Sequence, residues 1–352
     1  MFDTPDLARV FLAEHFSPPQ IEIVIEALEP GIQFRPLPDG ALTPGSTRIG
    51  GTPDLPTSLE WPVPEFPANI AEITTRGSPE ANEEMKQHIA LRLPYAFFAQ
   101  VDLSEAKTLG NIADDLPGDG RLLFFYDLII GPYGTGTWSG RVIWDRSPVE
   151  MLEHRPLPET LEKASGERRA FYAELDKQYG NGARSPDAGT PYEARARAMQ
   201  LSTTLRPPAA EAIEIELYPA LKSELAKPGV NYEETFSGCY EEVFGLHFDP
   251  YYDAANRGHR NQLLGGPLPE QSDPRYDAVV AAEYGGRHFS PEEWDLHAAE
   301  IAEKAKAWRL LLQIDVADWM QDNAEGTVYF LIRADDLREH RFDRVIPVYQ
   351  QT

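Results

Sequence analysis

Phe97-Phe98-Ala99-Gln100-Val101-Asp102-Leu103 and Leu310-Leu311-Leu312-Gln313-Ile314-Asp315-Val316 are two versions of one pattern. Each is apolar on both sides of a single glutamine, as expected of a strand covered on both faces. In each, the Gln and the Asp stand two apart and so share one side of the strand. Working outward, both are followed by a glycine-led apolar run, Gly120-Arg121-Leu122-Leu123-Phe124-Phe125-Tyr126 and Gly326-Thr327-Val328-Tyr329-Phe330-Leu331. Both are preceded by a glycine pair, Ile49-Gly50-Gly51-Thr52-Pro53-Asp54-Leu55-Pro56 and Leu264-Gly265-Gly266-Pro267-Leu268-Pro269. Gly51 precedes Gln100 by 49 positions and Gly266 precedes Gln313 by 47. The Gln-to-Gly step is 20 positions in the first version and 13 in the second, a difference that residues 107–117 absorb as a longer loop. Three signals in one order at near-equal spacing indicate an internal duplication.

Each copy then reads as a Gly-Gly turn, a polar helical excursion, the Gln-bearing strand, and a second strand antiparallel to it. The glycines permit positive φ and tight reversal. The excursions cover residues 78–91 and 290–307, and Ser290-Pro291 has a cap followed by proline at the first helical position. Ahead of the first copy, Asp3 or Thr4 caps a helix that starts at Pro5, and a second helix over residues 19–28 is ended by Pro30-Gly31. Between the copies, residues 153–206 are charged and helical with a glycine-bearing break at 180–189. Residues 213–218, Ile-Glu-Ile-Glu-Leu-Tyr, alternate as a half-exposed strand. Residues 345–349 form a last strand. The expected fold class is therefore α+β: two pseudo-equivalent, mainly antiparallel β-sheet halves with helical excursions and an N-terminal helical lead-in. The expected parts are the lead-in at 1–40, the first pseudo-repeat at 41–150, a charged helical connecting segment at 151–230 and the second pseudo-repeat at 231–352, packed as one unit.

Composition bounds the function classes. The chain has 352 residues, of which 42% are apolar and 25% charged, enough for a sizeable core. The excess of 57 acidic over 32 basic side chains gives a net charge of −25. That charge repels nucleic acid and anionic membrane surfaces and favours a cation or a basic protein. The single cysteine, Cys239, excludes an internal disulfide and the usual cysteine zinc site. The acidic N-terminus lacks the basic start of a signal peptide, and no apolar run reaches the roughly 20 residues of a membrane span, so the expected location is cytoplasmic.

The motif set Gly-Gly-x-Pro-x-Leu-Pro with the later Trp61-Pro62, the Phe-Phe-Ala-Gln-Val-Asp-Leu strand and the Gly-x-Leu-x-Phe-Phe-Tyr strand resembles the YwqG family, a domain of unknown function (DUF1963). The second half, with His259-Arg260-Asn261-Gln262 before its Gly-Gly pair, resembles it too. The resemblance covers roughly residues 40–350. It implies an α+β fold with internal duplication in a bacterial cytosolic protein, and no activity. It also associates some members with toxin and immunity neighbourhoods. The long charged middle segment departs from the family pattern.

The candidate binding residues are Arg48, Trp61, Gln100, Asp102, His259, Gln262, Gln313 and Asp315. If the halves meet about a pseudo-twofold axis, Gln100, Asp102, Gln313 and Asp315 could converge between them to bind a cation or share a proton. The simpler reading is that a Gln and an Asp on a covered strand satisfy loop backbone groups and the N-terminus of the next helix. Arg48, His259 and Gln262 flank the two Gly-Gly turns, where backbone N–H groups could hold an anion. The alternative is that Arg48 pairs with an aspartate of the strand motif. Trp61 fits a core or rim aromatic. His247, Asp249 and Asp253 lack further converging metal ligands, Cys239 lacks a nucleophile signature, and no hydrolase elbow or zinc motif is present. No catalytic residue, metal site or cofactor is assigned. The favoured function is a non-enzymatic acidic interaction module, of immunity type, that takes a basic protein partner. The alternatives are a small-ligand or cation binder at the interface of the halves, and a hydrolase using Asp102 and Asp315 or His259.

Overall fold

A computed structural model describes residues 1–38, 40–180, 182, 184–229, 231–244, 260–287 and 289–351. Its strands are β1 (Glu29–Pro36), β2 (Arg48–Ile49), β3 (Asp54–Pro56), β4 (Ala96–Asp102), β5 (Arg121–Tyr126), β6 (Gly140–Asp145), β7 (Leu152–His154), β8 (Arg197–Arg206), β9 (Gln262–Leu263), β10 (Trp308–Asp315), β11 (Thr327–Arg333) and β12 (Ile346–Gln350). Ten of them form one antiparallel sheet in the order β12-β11-β10-β9-β1-β8-β2-β4-β5-β6, while β3 and β7 form a separate ribbon. The sheet is nearly closed. Its end strands approach where Ser139 Oγ, just before β6, donates to Pro347 O in β12 at 3.4 Å.

The expected strand pairs are present, and the order reads the same from either end toward the centre. Gln100 pairs across β4–β2 with Arg48, and Gln313 pairs across β10–β9 with Gln262. Each Gln strand carries a bulge at the same place, between Phe97 and Ala99 and between Leu310 and Leu312. The excursions are helices Pro79–Leu91 and Pro291–Ala305, capped by Ser78 and Ser290. The lead-in helices are Pro5–Leu12, capped by Thr4, and Pro18–Glu26.

Three expectations need correction. Pro30-Gly31 does not end the lead-in; it opens β1, so residues 1–40 contribute a central strand. The segment 151–230 is helical only in part. After helix Glu159–Tyr179 it supplies the ten-residue β8, which pairs with β1 over eight positions from Glu29↔Arg206 to Pro36↔Met199. The polar composition of β8 obscured it, because its buried apolar residues, such as Met199 and Leu201, are interleaved with Gln, Ser, Thr and Arg. Residues 213–217 form a 3-10 turn and not a strand. Ile213 N–H is taken by Asp273 Oδ2 at 2.9 Å, and Pro219 closes the segment before it can extend.

The inner face of the curled sheet is filled by aromatic side chains from both halves. Phe98 of β4 stacks on Trp319 with centroids 4.4 Å apart, and Phe124 of β5 meets Phe330 of β11 edge-on at 5.2 Å. A second core, with Leu12, Val24, Tyr240 and Phe244, joins the lead-in helices to helices Pro219–Leu225 and Phe236–Phe244. Among the described residues no helix is long and apolar enough to cross a membrane.

Because Phe98 and Trp319 are fully buried against each other, Phe98→Ala is expected to lower the unfolding free energy by about 3–5 kcal/mol. Trp319→Ala should cost a similar amount. Denaturant melts of the double variant should show less than the sum, since each truncation removes the same stacked contact.

Candidate functional site

The two glycine turns and the two Gln strands build a pair of matching niches. In the first, Asp54 N–H donates to Gln100 Oε1 at 3.1 Å and Gln100 Nε2 donates to Ser46 O at 2.9 Å. In the second, Leu268 N–H donates to Gln313 Oε1 at 2.9 Å and Gln313 Nε2 donates to Arg260 O at 2.8 Å. Each glutamine thus clamps the chain on both sides of its turn. These contacts fix the register between the halves. The left-handed pair Gly50 and Gly51 corresponds to Leu264 (φ 58°) and Gly265 (φ 82°), one residue earlier than the Gly265-Gly266 match suggested by residue identity. Glycine is required at Gly50, where a Cβ would sit 2.4 Å from Arg195 O.

The four Gln and Asp side chains do not converge between the halves. Gln100 lies beside Leu123 and Gln313 beside Tyr329, across β4–β5 and β10–β11. Leu123 and Tyr329 belong to apolar clusters outside the central core, so both pairs point to the outer faces of opposite walls. The space between the walls is occupied by Phe98, Phe124, Phe330 and Trp319. Asp102 Oδ1 accepts from Ser104 N–H at 2.9 Å and caps helix Leu103–Lys107. Asp315 Oδ1 accepts from Asp318 N–H at 2.9 Å and caps helix Val316–Met320. Burial pushes the Asp315 carboxyl up to about 6, against a smaller opposing pull from Arg260.

The remaining candidates hold loops in place. Gln262 accepts from Arg206 Nη1 at 3.2 Å and donates to Gly266 O at 2.5 Å. Trp61 is partly buried; its Nε1 donates to Tyr95 O at 2.8 Å, and its ring meets Phe125 edge-on. His259, like His247, Asp249 and Asp253, lies outside the described residues. Among the described residues, no three His, Cys, Asp or Glu side chains are grouped to hold a metal ion.

Arg48 is paired, but with Asp54 of the turn and not with an aspartate of the strand motif; both side chains are only 3% exposed. Asp54 Oδ2 also accepts from Gly45 N–H at 2.7 Å and from Gln100 Nε2 at 3.2 Å. Its other oxygen, Oδ1, lies 3.2 Å from Nδ1 of His154, which β7 brings alongside β3. His154 Nε2 lies 3.0 Å from Thr52 Oγ1. Burial and the nearby Arg48 lower the His154 pKa below its ordinary 6.5. Thr52, Asp54 and His154 were not legible as a group. Thr52 and Asp54 sit inside the quoted turn motif, but their partner is 100 residues away, in a segment read as helical.

At Asp315 the sign of the pH effect follows from a folded carboxyl near 6 against an ordinary 3.8. The unfolded chain releases this proton first as pH rises, so this residue's contribution to stability falls between about pH 4 and pH 6. Relative to wild type, Asp315→Asn should therefore gain on the order of 3 kcal/mol between pH 4 and pH 7 in denaturant melts. Gln313→Leu should cost about 1–3 kcal/mol for each backbone group it orphans, Leu268 N–H and Arg260 O, read as a lower melting temperature.

No curated protein matches the chain. A family model described as a domain of unknown function, DUF1963, matches residues 47–350. That span takes in both glycine turns, both Gln strands and the β1-excluded remainder of the sheet, and the chain belongs to the DUF1963 family.

Proposed function

We propose that the chain acts as an acidic interaction module that takes a basic protein partner, with the helical end of the molecule as the binding face. The reading is supported by Glu211 and Glu241. They lie close enough that repulsion from Glu241 adds to burial in raising the Glu211 carboxyl. Glu233, Glu234 and Glu242 are exposed on the same run of turns and helix. The two lysines of this region are committed locally, Lys222 to Glu216 and Lys227 to Glu224. Exposed Tyr232 is an aromatic of the kind that anchors an interface, and exposed Leu217 adds apolar surface. A cationic surface docked here would relieve the repulsion between carboxylates and be steered by the net charge of −25. An immunity-type role is one form of this reading.

The test is a tagged capture from lysate of the source cells at low and moderate salt, run beside Glu233→Gln/Glu234→Gln/Glu241→Gln/Glu242→Gln. A single basic protein, enriched by the wild type, lost as salt rises and lost in the variant, is the expected result. Absence of any enriched protein at low salt overturns the reading.

A further inference from the structure

The two niches share a fold but not a chemistry. At the position of Asp54 the second niche has Leu268, whose N–H goes to Gln313 as that of Asp54 goes to Gln100. At the position of Arg48 it has Gln262, in the same register against its glutamine. Two residues before Leu268, at the position of Thr52, it has Gly266. The turn and the strand are therefore built without Arg48, Thr52 and Asp54. Their presence in the first niche, with His154 added from β7, calls for a reason other than the fold.

The arrangement itself supplies one. Thr52 Oγ1 is 3.0 Å from His154 Nε2, and His154 Nδ1 is 3.2 Å from Asp54 Oδ1, the order nucleophile, base, orienting carboxylate. Arg48 Nη1 also lies 3.4 Å from Nδ1. The shorter contact, to an acceptor that is a carboxylate, favours a proton on Nδ1 donated to Asp54, which leaves Nε2 free to accept from the Thr52 hydroxyl. Arg48, Gln100 and Gly45 N–H hold Asp54 in place. Burial and the nearby Arg48 lower the His154 pKa, so its ring is neutral at neutral pH and Nε2 has a free lone pair. The His154 side chain is 64% exposed, so a substrate can reach it. Gly50 and Gly51 N–H groups are used by Phe98 O and Ala194 O, whereas Thr52 N–H has no acceptor among the described residues and is available to a developing oxyanion. Exposed Val149 and Met151, on the turn that enters β7, offer apolar surface to a short acyl chain.

We propose that Thr52, His154 and Asp54 form an acyl-ester hydrolysing site, with Thr52 as nucleophile, His154 as general base and Asp54, held by Arg48 and Gln100, as the positioning residue. Thr52 Oγ1 attacks the ester carbonyl carbon and its proton passes to His154 Nε2. The tetrahedral adduct collapses, the carbonyl–alkoxy bond breaks, and His154 returns the proton to the departing alcohol. Water then attacks the acyl-threonine with His154 again taking the proton. The bond to Oγ1 breaks, the acid leaves, and Thr52 regains its hydrogen. The exposed His154 ring leaves the site open to small activated acyl esters.

The experiment uses the full chain with 4-nitrophenyl acetate. Turnover is read as released nitrophenol, and the acetyl group is located by peptide mass spectrometry after an acid quench. The proposal expects turnover that rises with pH through a midpoint below 6.5, and acetyl on Thr52. It expects a loss of about 100-fold or more in Thr52→Ala and in His154→Gln, and retention in Thr52→Ser. His15→Gln, an exposed histidine far from the niche in sequence, should turn over as wild type. Wild-type turnover in Thr52→Ala, or acetyl found only on lysines or other histidines, overturns it. Unchanged melting temperatures of the Thr52 and His154 variants keep a loss of activity separate from a loss of fold.

Discussion

The pairing of β1 with β8 is the constraint on which the rest of the sheet depends. Neither strand belongs to a Gln-strand unit, yet β2 of the first half attaches to β8 and β9 of the second attaches to β1. β2 and β9 are two residues long, too short to hold a sheet edge alone, and each survives because a long strand covers one side and a Gln strand the other. Without the eight-position β1–β8 ladder the halves would be two small sheets with open edges. With it, the inner faces curl toward each other until Phe98 and Trp319, or Phe124 and Phe330, are in contact. The ladder has a long sequence separation, so its loop-closure entropy must be offset by this aromatic packing.

This also explains which parts could be read in advance. The Gln strands are apolar on both faces because helices and ribbons cover their outer side while the aromatic core covers the inner one, and that double burial marks a sequence strongly. Helices with Ser-Pro starts were legible for the same local reason, since cap and proline are neighbours in sequence. β1 and β8 carry prolines, arginines and hydroxyl residues, because each shows one partly exposed side and meets the shared core with only every other residue. Their identity as strands is set by a partner more than 160 residues away, and no local signal encodes that. The turn glycines were legible as turns but not in register, because Leu264 takes a left-handed conformation that residue identity assigns to glycine.

The site shows the same division between local and distant information. Gln100 and Gln313 stood out as polar interruptions of apolar strands, and their role as backbone clamps is what a buried amide with two acceptors and two donors does best. Asp102 and Asp315 stood out with them and cap the helices that immediately follow, the simpler of the two readings their positions offered, and the alternative of a meeting across the interface does not occur. The Thr52–His154–Asp54 arrangement was invisible because β7 lies outside the main sheet, in a ribbon that it forms with β3.

Electrostatics separates the two niches more sharply than geometry does. A buried arginine–aspartate pair loses hydration on both partners, and apolar or neutral groups of similar size commonly serve stability as well. The second niche has no ion pair at these two positions, with Gln262 and Leu268 in place of Arg48 and Asp54 and the same glutamine clamp; its charged groups, Arg206 beside Gln262 and Arg260 paired with Glu270, stand elsewhere. The first niche nevertheless keeps a carboxylate that is 3% exposed, gives one of its oxygens to Arg48, Gln100 and Gly45, and leaves the other facing a histidine ring at the surface. A carboxylate satisfied on one side and aimed outward on the other is a device for orienting what stands in front of it. In this chain the group in front is His154, with the Thr52 hydroxyl on its far nitrogen.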